Sequence, residues 1–116
     1  MRDLALTKLP GFEDDLFALP SRQLMEMTLK LLVEVKRGNL EGQPLGVLSA
    51  TGDLSDCRKI YFDTDGTQKP RFRLVYRYTP NEIRAVAIEA VAVGKRATLS
   101  VYKLAATRLG RIPMDD

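Results

Sequence analysis

Four residues able to act on a phosphodiester are spread over the second half of the chain. They are Lys59 in "DCRKIYF", Arg73 in "RFRLVY", and Arg96 and Tyr102 in "VGKRATLSVY". Arginine presents a planar, permanently charged fork that suits phosphate oxygens. A lysine crowded by other cations has its charged form disfavoured, so its pKa should fall toward a range useful for proton abstraction. A tyrosine can stack on a base or donate its hydroxyl. Brought together, the four could cleave RNA without a metal. Lys59 would help to remove the ribose 2′-OH proton, Arg73 and Arg96 would stabilise charge developing on the phosphate, and a nearby acid would protonate the 5′-oxygen. Each also has a plainer reading: a lysine or arginine on an exposed strand face is often only a solvated charge, and Tyr102 fits the apolar stripe of a helix.

Composition narrows the alternatives. The chain has 116 residues, one cysteine and no histidine, which excludes Ser-His-Asp and Cys-His nucleophile systems and leaves no structural zinc set. Neither a Walker nor a Rossmann phosphate loop is present. Asp63-Thr64-Asp65-Gly66 imitates the opening of a calcium loop, but the later ligands are missing and a plain turn is expected. Cys57 cannot form an internal disulfide, and no signal peptide or apolar run long enough to span a bilayer is seen, so a cytoplasmic protein is expected. The net charge of +3 is unevenly spread: residues 1–56 sum to −3 and residues 57–111 to +8. That asymmetry suits a polyanionic partner, although a basic surface with no partner would look the same.

Length and composition predict one α+β domain. A first strand is expected near Leu4–Leu9. Phe12, Leu16, Phe17 and Leu19 suggest a short helix, with Glu13, Asp14 and Asp15 in its positive first turn. Ser21 is a plausible N-cap for a second helix carrying Leu24, Met27, Leu31 and Val35, ended by Gly38. The two helices are expected as an antiparallel hairpin joined at Pro20. Gly42 to Asp56 reads as an irregular connection. Period two then sets in: Ile60 and Phe62 oppose Lys59 and Tyr61, while Phe72, Leu74, Tyr76 and Tyr78 oppose Arg71, Arg73, Val75 and Arg77. Pro80 and Asn81 suggest a turn into a returning strand, Ile83–Val93, with a final helix over Thr98–Leu109. The expected architecture is an N-terminal helical hairpin and a C-terminal helix packed on one face of a small, mainly antiparallel sheet.

In this order and spacing, "DCRKIYF", "FRLVYRY" and "VGKRATLSVYKLAATRL" resemble the RelE-type toxins of the RelE/ParE toxin-antitoxin superfamily. With the helical segment "FEDDLFALPSRQLMEMTLKLLVEV", the likeness covers roughly Phe12 to Leu109, the core of a single RelE-like domain spanning 1–116. The resemblance implies a small basic toxin that enters the ribosome, cuts mRNA without a metal or cofactor, and is held inactive by a cognate antitoxin. It implies Lys59, Arg73, Arg96 and Tyr102 as the catalytic set. Tyr61 stands where the family has a second lysine, so Lys59 would act alone or with Tyr61 stacked on a base. Arg58, Arg71, Arg77, Lys95 and Lys103 would supplement RNA binding. The ParE-like branch, which inhibits DNA gyrase without cutting RNA, and an inert RNA- or antitoxin-binding module share the same fold expectation.

Overall fold

A computed structural model describes Asp3–Ile112, apart from the Thr98 side chain. The chain opens with strand β1 (Ala5–Lys8), followed by helices α1 (Phe12–Phe17) and α2 (Arg22–Lys36). Three two-residue strands come next: β2 (Gln43–Pro44), β3 (Val47–Leu48) and β4 (Gly52–Asp53). Long strands β5 (Cys57–Phe62), β6 (Phe72–Thr79) and β7 (Ala87–Lys95) lead through a 3-10 turn, Ala97–Leu99, into α3 (Ser100–Arg108). Five strands form one sheet in the order β1-β7-β6-β5-β2, and β3 and β4 pair separately. Only β1–β7 is parallel in that sheet, so it is mainly antiparallel, as expected. Among the described residues no helix is long and apolar enough to cross a membrane.

Several local expectations hold. The Ser21 hydroxyl accepts a hydrogen bond from the Leu24 N–H at 3.2 Å, capping α2. Gly38 adopts φ +81° just beyond the C-cap, the left-handed conformation in which glycine pays no Cβ penalty. β5 covers the expected residues, and Lys59 and Tyr61 share the face opposite Ile60 and Phe62. α1, however, is only six residues long and follows a strand, so the expected hairpin becomes a short helix leading into a long one.

Three expectations are corrected. The helices do not share one face: α1 and α2 cover Phe62, Phe72, Leu74, Tyr76 and Ile88, whereas α3 lies on the other side against Cys57, Val75, Val91 and Ala92. The returning strand begins at Ala87 rather than Ile83, because the Asn81 carboxamide accepts from both the Ile83 and Arg84 N–H groups and holds a turn there. Gly42–Asp56 is not wholly irregular. Its β2 extends the sheet, and Gly42 is anchored by donating its N–H to the hydroxyl of fully buried Tyr76 at 2.7 Å. A Cβ at Gly42 would lie 2.6 Å from the Lys59 carbonyl, so glycine is needed for that close approach.

β7 carries a bulge opposite Val75–Tyr76, where Val91 has no partner in β6. Beyond Lys8, β7 also has no strand partner on its β1 side. The largely buried Asp15–Arg108 pair closes that gap: Val93 N–H donates to Asp15, and Arg108 donates to Asp15, to the Val91 carbonyl at 2.9 Å and to the Gly11 carbonyl at 3.1 Å. One arginine thereby ties α1, β7 and α3 together.

Candidate functional site

Tyr61, Arg73 and Gly94 are neighbours across β5, β6 and β7, in one row on the α3 side of the sheet. The adjacent row, Lys59, Val75 and Ala92, leads under α3, where Val75 and Ala92 join Val101 and Tyr102 in the core. The first row therefore lies at the uncovered end of this face. Gly94 contributes no side chain, and a Cβ there would approach only Val101, at 4.0 Å.

The side chains converge on this row. The Arg73 guanidinium carbon lies 3.9 Å from the centroid of the Tyr61 ring, and the Lys59 ammonium lies 5.2 Å from the same ring and 5.9 Å from the Tyr102 ring. Such distances bring cation–π attraction into play. Arg73 is 3% exposed and Tyr61 45%, so the ring stands over the arginine at the surface. Arg73 donates to the carbonyls of Pro70 and Phe72, whereas its buried Nε has no hydrogen-bond partner among the described residues. A groove of about 410 Å³, lined by Lys69, Pro70, Arg71, Arg73, Lys95, Arg96 and Ala97, opens beside it.

Arg96 is placed by the corner after β7. Its N–H donates to the Arg71 carbonyl at 3.1 Å, and its carbonyl accepts from the Leu99 N–H at 2.7 Å. Leu99 takes φ +59°, a left-handed conformation that costs a leucine roughly 1–2 kcal/mol. Backbone held in such a state needs support from its surroundings, and here α3 starts from it. The 3-10 turn replaces the first residues of the expected helix. Tyr102 is 4% exposed and packs in the core on α3, with the Lys59 ammonium 5.9 Å from its ring centroid.

The cations divide into two groups. Among the described residues none of Lys59, Arg73, Lys95 and Arg96 makes an ion pair. Lys95, Arg96 and Lys103 are exposed, and Lys95 and Arg96 line the groove whereas Lys103 does not. Arg58 and Arg77 do not join the cluster. Arg58 grips Glu82 through two nitrogens at 2.9 and 3.0 Å and donates to the Gly42 carbonyl, and Arg77 pairs with Glu89 and Asp56. Their carboxylates come from loops and a neighbouring strand, where the period of β5 and β6 gives no sign of them. Tyr61 lies at the centre of the cluster as its most exposed ring, and Lys69 joins the groove from the turn before β6. The sequence carries no periodic signal for Lys69.

Arg71 lines the groove but is bound in two places to Asp63, with its Nε at 2.8 Å and its Nη2 at 2.9 Å. Those hydrogen bonds, joined by backbone N–H groups of Arg71 and Thr64, hold the Asp63 carboxyl well below its ordinary 3.8. A depressed carboxylate contributes stability above its unfolded pKa and loses it as pH falls through the folded value. Asp63→Asn should therefore lower the melting temperature at neutral pH. The gap to wild type should close as the pH drops below about 3.8, which melts at a series of pH values would read.

The Cys57 thiol is fully buried and pushed up to about 12, chiefly by burial, so it is no nucleophile. The Tyr61 phenol shifts the other way. Its pKa lies below the ordinary 10, first through hydrogen bonding offered by Lys59 and then through the charges of Lys59, Arg73 and Arg96, with slight desolvation opposing. The arrangement can hold an anion among fixed cations and can move a proton at a phenol or an ammonium.

No protein-family model matches the sequence, and a search of curated proteins returns no match. A solved structure of the E. coli toxin RelE, in the free state with two arginines replaced by alanine, is similar in fold. The TM-score is 0.62 at 25% sequence identity, covering 92% of this chain and 98% of that one. In its motifs, and in its fold over nearly its whole length, this chain resembles the RelE-type toxins.

Proposed function

We propose that this protein is the toxin of a type II toxin-antitoxin system and acts as a ribosome-dependent mRNA endoribonuclease. One observation carries the reading: Arg73 and Arg96, which among the described residues have no carboxylate partner, line an open groove, and Arg73 lies against the Tyr61 ring that Lys59 also approaches. Most arginines elsewhere in the second half of the chain are neutralised by acids, so this cluster keeps its charge for an external anion. The buried, unpartnered Nε of Arg73 supports the same reading, since an unsatisfied donor is costly unless a ligand completes it.

The reaction is a transesterification. The ribose 2′-oxygen attacks phosphorus, the bond from phosphorus to the 5′-oxygen breaks, and a 2′,3′-cyclic phosphate and a 5′-hydroxyl result. Arg73 and Arg96 stabilise the added negative charge on the phosphate. Lys59 acts in proton transfer beside them, and the exposed planar face of Tyr61 suits stacking with a base. Lys69, Lys95 and Lys103 would contribute charge toward ribosomal RNA. The partners on this reading are the ribosome with its mRNA, and a cognate antitoxin that covers the toxin when it is idle.

Primer extension on an mRNA translated in a purified bacterial system tests the proposal. Cuts within codons that appear only when ribosomes and the protein are both present would support it. Intact mRNA, together with inhibited DNA supercoiling by gyrase, would replace it with the ParE-like reading.

A further inference from the structure

We propose that Tyr61 is the general base of this site, and that the Lys59 ammonium beside it is the general acid. The assignment rests on the endoribonuclease reading. The cluster offers few other groups for the first proton. Arg73 and Arg96 do not deprotonate. Tyr102 is almost wholly buried. Asp63 is bound to Arg71, and Glu41, which lines the cleft next to Lys59 and Tyr61, is drawn to Arg58 at 3.7 Å. Lys59 and Tyr61 remain, and their surroundings assign them opposite roles.

The Lys59 ammonium sits 5.2 Å from the Tyr61 ring and 5.9 Å from the Tyr102 ring, where cation–π attraction holds it beside the phenol. Tyr61 sits among Lys59 from β5, Arg73 from β6 and Arg96 from the corner after β7, a setting that favours a phenolate. With nearly half its surface exposed, its oxygen can meet a ribose that the buried tyrosine cannot. The Arg73 guanidinium, 3.9 Å from the Tyr61 ring centroid, also keeps this ring beside the cation that would hold the phosphate.

The step balances. As the bond from the 2′-oxygen to phosphorus forms, the 2′-hydroxyl proton passes to the Tyr61 oxygen. As the bond to the 5′-oxygen breaks, that oxygen takes a proton from Lys59. The proton on Tyr61 then returns to the Lys59 amine, and both groups are restored without a cofactor.

The test is single-turnover cleavage of ribosome-bound mRNA over a range of pH. Wild type is compared with Tyr61→Phe and with protein carrying 3-fluorotyrosine at position 61, and ribosome binding is followed by co-sedimentation. Tyr61→Phe should cut about 10²-fold more slowly while still sedimenting with ribosomes. The ring is retained in this variant, so stacking on Arg73 survives. Fluorotyrosine, a stronger acid with its hydroxyl in place, should move the rising limb of the pH–rate profile to lower pH. Wild-type rates from Tyr61→Phe, or a limb unmoved by fluorination, would overturn the assignment and leave the endoribonuclease standing. If wild type itself cuts nothing on the ribosome, the endoribonuclease reading falls, and this assignment falls with it.

Discussion

Arg73→Lys is expected to slow ribosome-dependent mRNA cleavage by about 10²–10³-fold, the usual cost of removing one well-placed donor from a developing oxyanion. The substitution keeps the charge but removes the fork. A lysine cannot donate to the Pro70 and Phe72 carbonyls and still present a second edge to phosphate. It also cannot lie as a flat plane against Tyr61, so the ring over it loses its support. Because Arg73 is buried, Arg73→Ala would add a stability defect of about 1–3 kcal/mol from two abandoned carbonyls, which makes lysine the cleaner variant. Single-turnover rates paired with thermal melts separate the two effects. A lysine variant that cuts as fast as wild type would remove Arg73 from the chemistry.

The largest effect on stability belongs to a residue away from the groove. Arg108→Ala should destabilise the protein by about 3–5 kcal/mol, the range seen when one partner of a buried ion pair is removed. That corresponds to a fall of roughly 10–20 °C in melting temperature for a domain of this size. Asp15 would be left as a mostly buried charge whose remaining protein donor is the Val93 N–H, and the Val91 and Gly11 carbonyls would lose their arginine. Arg108→Lys should recover only part of the loss, since one ammonium cannot reach all three acceptors in a plane. Asp15→Leu combined with Arg108→Met should recover more than either single change, because no buried charge is then stranded. Melts of the four proteins give the cycle, and purely additive losses would show that the pair is not coupled.

Legibility in the sequence followed the strength of local signals. β5 could be read residue by residue because "CRKIYF" alternates cleanly, and α2 because Ser21 and Gly38 mark its ends. The start of β7 could not, because Ile83 and Val86 look like strand residues but are exposed in a turn fixed by Asn81. The placement of α3 was missed for a related reason. Strand β7 is buried on both faces, and a strand without alternation does not reveal that a helix waits on each side. The site was legible in part. Lys59, Arg73, Arg96 and Tyr102 were picked out by type and motif; Lys59 approaches the Tyr102 ring, and Arg73 and Arg96 line one groove. What type alone could not show is which arginines are neutralised: Arg58 and Arg77 look like Arg73 in sequence, and only the fold brings Glu82, Glu89 and Asp56 to them. The bulge at Val91 and the gap it leaves for Arg108 had no sequence signal either.

The parallel pairing of β1 with β7 has a consequence for the newborn chain. Ala5 meets Ala87 in the ladder, so 82 residues separate partners that must lie side by side. At translation rates of 5–20 residues per second, β1 waits about 4–16 s for its template to be made. Until β5 and β6 are made α2 can coil, but Leu24, Leu32 and Val35 have no sheet to cover, and the face is completed only with β7. The N-terminal third of the protein is thus synthesised first and settles late, as a sticky intermediate that a chaperone could recognise before the fold is complete.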